Sequence, residues 1–216
     1  MNKKKVLIAV AALCIMATIA IGGTLAYLTD TKDVKNTFTM GDVKIKLDET
    51  DITNPTGDRV TSNAYSVYPG AVVTKDPIVH NVGGNAAYIR ATVNVENWMN
   101  ECGAYYPDFG ISYGQAGYEK SLLLLVDKLG EGWSIVGVET GDPFILGNFS
   151  AKFTLKYDGT LAAGEDTAAM FEKVTIPAGI ENDGSFGNIT VKADAIQADG
   201  FDSWEAAFAA FDTPKN

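Results

Sequence analysis

The sequence predicts an all-β domain, an antiparallel β-sandwich decorated by one or two short helices. Three observations lead there: four runs in which apolar and polar residues alternate, clusters of Gly, Pro, Asn and Asp between those runs, and a composition that suits one compact domain. The chain has 216 residues, 46% hydrophobic and 20% charged, which excludes both a disordered tail and a polytopic membrane protein.

The chain opens on a leader. Lys3, Lys4 and Lys5 precede residues 6–21, in which Thr18 is the only polar side chain, and Gly22-Gly23-Thr24-Leu25-Ala26 follows. A basic start, an apolar run and small residues at Thr24 and Ala26 form a secretory signal peptide, with cleavage expected between Ala26 and Tyr27. The rival is a retained anchor, since residues 6–26 are 21 in number and a span needs about 20. The glycine pair and the small residues suit a peptidase better. A lipoprotein is disfavoured because Cys14 lies inside the apolar run behind the bulky Leu13. Cleavage would remove Cys14 and leave Cys102 without a partner in the chain. The expected organisation is a signal peptide over 1–26, an N-terminal arm over 27–38 and a sandwich domain over 39–216.

Four strands follow from alternation. Val43, Ile45 and Leu47 interleave with Lys44, Lys46 and Asp48. The pattern returns at Ile89, Ala91, Val93 and Val95, at Phe153, Leu155 and Tyr157, and at Ile189, Val191, Ala193 and Ala195. A period of two with one charged face describes half-buried antiparallel strands whose outer face is wet. Turn signals separate them at Asn54-Pro55-Thr56-Gly57, Pro69-Gly70, Gly83-Gly84-Asn85, Asp158-Gly159 and Asp183-Gly184. Val72-Val73 and Ile78-Val79, interrupted by Asp76-Pro77, read as one edge or bulged strand, because proline cannot donate to a ladder.

Two helices are expected. Residues 120–129 contain Leu122-Leu123-Leu124-Leu125-Val126 and stop at Gly130, which fits a short buried helix. Near the end, Asp202 is placed to cap a helix with Glu205 three residues on, and Trp204, Phe208 and Phe211 share one face. An aromatic stripe of this kind is more often core than interface, so the domain itself is expected to cover it.

Charge and side-chain inventory narrow the chemistry. The chain holds 17 basic and 27 acidic residues; losing Lys3, Lys4 and Lys5 would leave 14 against 27, a net charge of −13. That balance repels nucleic acid and anionic membrane surfaces, and no membrane association is expected after processing. His80 is the only histidine, so it carries any triad or zinc-site reading alone, and a strand histidine hydrogen-bonded at the sandwich margin is the expected role. H-E-x-x-H, G-x-S-x-G, phosphate-loop and dinucleotide motifs are all missing from the sequence. The acidic loops Asp48-Glu49-Thr50-Asp51 and Glu181-Asn182-Asp183-Gly184 lack EF-hand spacing and read as solvated charge. No catalytic residue, metal or cofactor is therefore expected. Trp98, Tyr105, Tyr106 and Trp133 are the rings that would stack on a sugar if they were exposed.

Gly22-Gly23-Thr24-Leu25-Ala26-Tyr27-Leu28-Thr29-Asp30 and Asn36-Thr37-Phe38-Thr39-Met40-Gly41-Asp42-Val43 resemble the TasA/camelysin family of proteins processed by a SipW-type signal peptidase. Tyr68-Pro69-Gly70, the run from Pro77 to Gly84 and the run from Ala193 to Phe201 carry the resemblance further, while residues 97–185 are the part it least informs. The resemblance implies a Gram-positive secreted protein with a jelly-roll sandwich that polymerises with itself, head to tail, into extracellular or biofilm-matrix fibres. In that mode the arm behind the cut, anchored by Tyr27, Leu28, Val34 and Phe38, would add as a strand to the next subunit. A polar, cleaved arm with a few apolar anchors is physically suited to an open sheet edge. The alternatives are a secreted cell-surface module that binds cell-wall glycan or protein, and a secreted hydrolase or metalloprotease of the camelysin type. Camelysin members are described as metalloproteases, and the sequence shows no ligand set for that activity.

Overall fold

The computed structural model describes residues 42–96, 121–140, 150–178 and 188–213, and all of them belong to the unit Gly41–Asn216. Among the described residues eight strands and two helices occur in the order β1 (Ile45–Asp48), β2 (Val72–Thr74), β3 (Ile78–Asn81), β4 (Ala87–Val95), α1 (Leu123–Val126), β5 (Trp133–Thr140), β6 (Ala151–Tyr157), β7 (Lys173–Thr175), β8 (Ile189–Gln197) and α2 (Trp204–Asp212). Every strand pairing is antiparallel. A four-stranded sheet runs β5-β6-β4-β8, and two small sheets pair β1 with β3 and β2 with β7. The architecture is an all-β, sandwich-like fold whose sheets stay open.

The nine residues of β4 organise the core. Ala87, Ile89, Ala91, Val93 and Val95 are buried, and the residues between them are half-buried. Phe153 lies opposite Val93 on β6, and Val191 lies opposite Val93 on β8. One apolar cluster joins this face to Val79 of β3, Val174 of β7, Leu122 and Leu125 around α1, and Met170 and Phe171. That shared cluster is what makes one domain of three separate sheets.

The segment expected as one interrupted edge strand is two strands in two different sheets. β2 pairs with β7, whereas β3 pairs with β1. Pro77 lies at the switch, where it has no N–H to give a ladder and its carbonyl accepts from Met170 N at 2.9 Å. The first helix is also shorter than expected. α1 has four residues and ends at Asp127, which takes the left-handed φ of 66°. Gly130 does not cap it. A side chain at Gly130 would collide with the Ala169 carbonyl oxygen, so the glycine serves a close backbone approach.

α2 starts one residue later than expected. Ser203, not Asp202, is the cap, its hydroxyl oxygen accepting from Ala206 N at 3.1 Å. The helix lies against β4 and β8. Trp204 Nε1 donates to Ile89 O at 2.8 Å, and the Arg90 guanidinium sits 4.5 Å over the Phe208 ring while pairing with Asp212 and Asp194. The domain thus buries Phe208 and leaves Phe211 46% exposed. Burial of Phe208 under Arg90 makes part of the face expected to be wet a second, smaller packing layer.

Candidate functional site

Two features stand apart from ordinary sandwich packing: a knot of charges at the end of β1, and an open sheet edge beside a groove. The knot begins with Asp48, which alternation places on the charged face of β1 but which is only 3% exposed. The following loop causes the burial. Glu49 and Val60 exchange backbone hydrogen bonds of 2.8 Å, and this lays Arg59 over Asp48. Arg59 Nε donates to Asp48 Oδ1 at 2.6 Å, Nη1 to Thr50 Oγ1 and Asp76 Oδ2, and Nη2 to the Asp48 and Asp76 carbonyls. The Lys46 ammonium stands 2.8 Å from Asp48 Oδ2. Burial alone would raise the Asp48 pKa, but Lys46, His80 and Arg59 together hold it down at about 2.

His80 completes the knot from β3, directly across the ladder from Lys46. Its Nε2 lies 2.9 Å from Asp48 Oδ1 and its Nδ1 lies 2.7 Å from Asp166 Oδ1. Burial opposes the charged ring, yet the two carboxylates outweigh it and raise its pKa above the ordinary value of 6.5. The marginal, hydrogen-bonded position expected for a strand histidine is the one observed. Neither ring nitrogen is left facing open space for another ligand.

The second feature is β8. All nine of its residues pair with β4 without a shift, and among the described residues no strand pairs with its other side. Asn188 O accepts from Glu96 N, and Ala198 N donates to Ala86 O, so even-numbered residues bond to β4. By antiparallel parity the backbone N–H and C=O groups of Ile189, Val191, Ala193, Ala195 and Gln197 point the other way. A groove of about 550 Å³ runs beside the start of this edge, with Leu47, Val73, Ile176, Ile189 and Val191 as apolar lining. Part of its polar wall is internally paired: Lys75 Nζ bonds Glu49 Oε2 at 2.7 Å and Asn63 Nδ2 donates to Glu49 Oε1 at 3.1 Å. Burial and the Glu49 charge push the Tyr65 hydroxyl up to about 12.

Several expected site residues change meaning. Trp133 is 6% exposed, packs against Tyr157 with ring centroids 5.2 Å apart, and donates from Nε1 to Ala168 O at 3.0 Å. It is a core residue, which removes it from any exposed sugar-stacking row. The loop from Asp48 to Asp51 is not solvated charge either: Asp48 and Glu49 are buried in ion pairs, and Asp51 accepts from the Thr53 amide and hydroxyl. Ala26, Tyr27, Leu28, Val34, Phe38, Trp98, Cys102, Tyr105, Tyr106 and the loop Glu181 to Gly184 lie outside the described residues. Sequence reading missed the convergence of Arg59, Asp76 and Asp166 on Asp48 and His80. No local signal carries it, since Asp166 and His80 are 86 residues apart.

Among the described residues no helix is long and apolar enough to cross a membrane, and no group of three His, Cys, Asp or Glu side chains converges as a metal site. No curated protein and no solved structure matches the chain. Residues 1–98, which run through β1, β2, β3 and β4, match the family described as camelysin metallo-endopeptidase.

Proposed function

We propose that this is a secreted structural protein whose processed form polymerises into extracellular fibres, each copy adding its N-terminal arm as a strand to the next. The carrying observation is the regular, nine-residue edge of β8 beside an apolar groove. An added strand would bond to the outward amides and carbonyls of the odd-numbered β8 residues and bury alternate side chains in the groove. The segment before β1 has a suitable pattern: Val34, Phe38 and Met40 share one parity, with Lys35, Thr37 and Thr39 on the other. Asp42, where the described chain begins, is tied to the β3–β4 turn through Asn85 and Gly84. The groove takes its lining from Leu47 and Asp48, about 20 Å further along an extended chain. A copy's own arm would have to reverse to reach it, whereas a neighbour's arm need not.

In this reading a SipW-type signal peptidase cuts between Ala26 and Tyr27, and the cut is the switch that frees residues 27–38 as the donor. A head-to-tail contact of this kind need not close, so filaments form instead of rings. The test is electron microscopy of the chain starting at Tyr27 beside the chain that keeps residues 1–26. Filaments are expected only from the shorter one, and a version lacking residues 27–38 should stay monomeric. Filaments from that truncated version would overturn the arm mechanism.

The family's description points to a second reading, a metal-dependent endopeptidase. Among the described residues none fit a metal centre of the usual kind. The chain's one histidine turns both ring nitrogens toward carboxylates, and Asp48 is already engaged with Arg59, Lys46 and that same ring. No peptidase step is assigned to this chain.

A further inference from the structure

His80 fits a different ligand from the metal that the family's description implies. Both ring nitrogens lie within hydrogen-bond distance of a carboxylate oxygen, Nε2 at 2.9 Å from Asp48 and Nδ1 at 2.7 Å from Asp166. A neutral imidazole has one N–H and can satisfy one of these acceptors; both contacts are hydrogen bonds only when both nitrogens carry protons. The charges around the ring agree. Lys46 faces it across the β1–β3 ladder, Asp48 and Asp166 flank it, and Arg59 and Asp76 stand behind Asp48. With the ring charged, three cations meet three carboxylates. Without its proton the cluster carries one uncompensated negative charge, and Asp48, at 1% side-chain exposure, has no water to disperse it.

The position of Asp166 gives this proton a mechanical consequence. Asp166 belongs to a segment that lies along the side of β3 away from β1. Gly164 N donates to Asn81 O at 2.8 Å, Asn81 N to Glu165 O at 2.9 Å, and Thr167 N to Val79 O at 2.9 Å, while Val79 N reaches Thr167 Oγ1 at 3.1 Å. We infer that His80 is a proton-operated clasp: the imidazolium ties the 164–167 segment to β3 through Asp166, and loss of its proton frees that segment and uncovers the β3 edge. Deprotonation leaves a ring lone pair opposite a carboxylate at one of the two contacts. Asp166, 58% exposed, is the partner that can turn to water, so the clasp opens on that side. The raised pKa of the ring sets the direction. The clasp is fully closed below the ordinary histidine value and opens as pH rises through the higher value of the folded chain.

The single histidine makes the test direct: ¹⁵N NMR of the imidazole in the untagged chain, with hydrogen exchange of backbone amides across the same pH range. Both ring nitrogens should show imidazolium shifts on the acid side of the titration, whose midpoint should lie above 6.5. Protection of the Asn81, Gly164 and Thr167 amides should fall by about tenfold across that titration, the scale of one charge-assisted hydrogen bond, while β6 amides hold theirs. Asp166→Asn, an exposed and mild change, should lower the midpoint and flatten the pH dependence of protection. Equimolar Zn²⁺ should leave the ring signals in place. A titration midpoint at or below 6.5, protection that ignores the titration, or signals that move with Zn²⁺ would each overturn the clasp.

Discussion

The two edges of the four-stranded sheet are built differently. β5, at one edge, slips register between Ile135 and Gly137, and the extra residue, Val136, is 48% exposed. β8, at the other, runs nine residues against β4 with no slip. A bulge twists an edge and breaks its row of donors and acceptors, a common defence against unwanted pairing. β5 has that defence and β8 does not. The contrast teaches that an open edge need not be an oversight of the fold: one edge is blunted and the other is left regular beside an apolar groove, and the regular one is the edge we propose as the receiver of a strand.

The largest expected effect comes from proline on β8, and it depends on parity. Lys192 bonds toward β4, so Lys192→Pro removes a ladder hydrogen bond and should cost about 3 kcal/mol or more in urea unfolding. Ala193 points its N–H outward, so Ala193→Pro should cost clearly less. Equal losses at the two positions would contradict the parity on which the open edge rests.

Acid should act next, through Asp48, which lines the groove beside β8. Its folded pKa of about 2 lies below the ordinary 3.8, so its contribution is present above about pH 4 and is lost as pH falls through about 2. The size is about 2 kcal/mol, from the shift and its linkage constant. Asp48→Asn should flatten the acid limb of a stability-versus-pH curve; an unchanged limb would remove Asp48 from the account.

A smaller effect is expected on the outer face of β4 and β8. Ser203→Ala deletes the α2 cap and should cost about 1 kcal/mol of thermal stability while leaving the β8 edge able to pair. Deleting Val136 sharpens the comparison from the other side. It should restore regular pairing of β5 with little change in stability, and give the chain a second open edge, seen as lateral clumping by light scattering.

Much of this fold was legible because burial and alternation agree. Val43 to Asp48, Ile89 to Val95, Phe153 to Tyr157 and Ile189 to Ala195 predict β1, β4, β6 and β8 within a few residues. β5 escaped for the reason that makes it interesting: its bulge breaks the period, so Trp133 and Ile135 fall out of phase with Val138. β7 is three residues long and is defined by its partner β2, not by any pattern of its own. The charge knot was invisible because it is assembled from β1, a loop, β3 and a distant segment. Asp48 even occupied the correct parity for a solvated strand face; what buries it is the return of Val60 and Arg59 across the end of β1. Trp133 shows the converse, a ring whose chemistry suits a sugar and whose place in β5 buries it.

The central claim is that β8 is the edge that receives a neighbour's strand. It is tested most directly by electron microscopy of the chain starting at Tyr27, with and without Ala193→Pro. The account predicts filaments from the first and folded monomers from the second, since the proline removes an outward donor and leaves the β4 ladder intact. Filaments of equal length and number from both would contradict it.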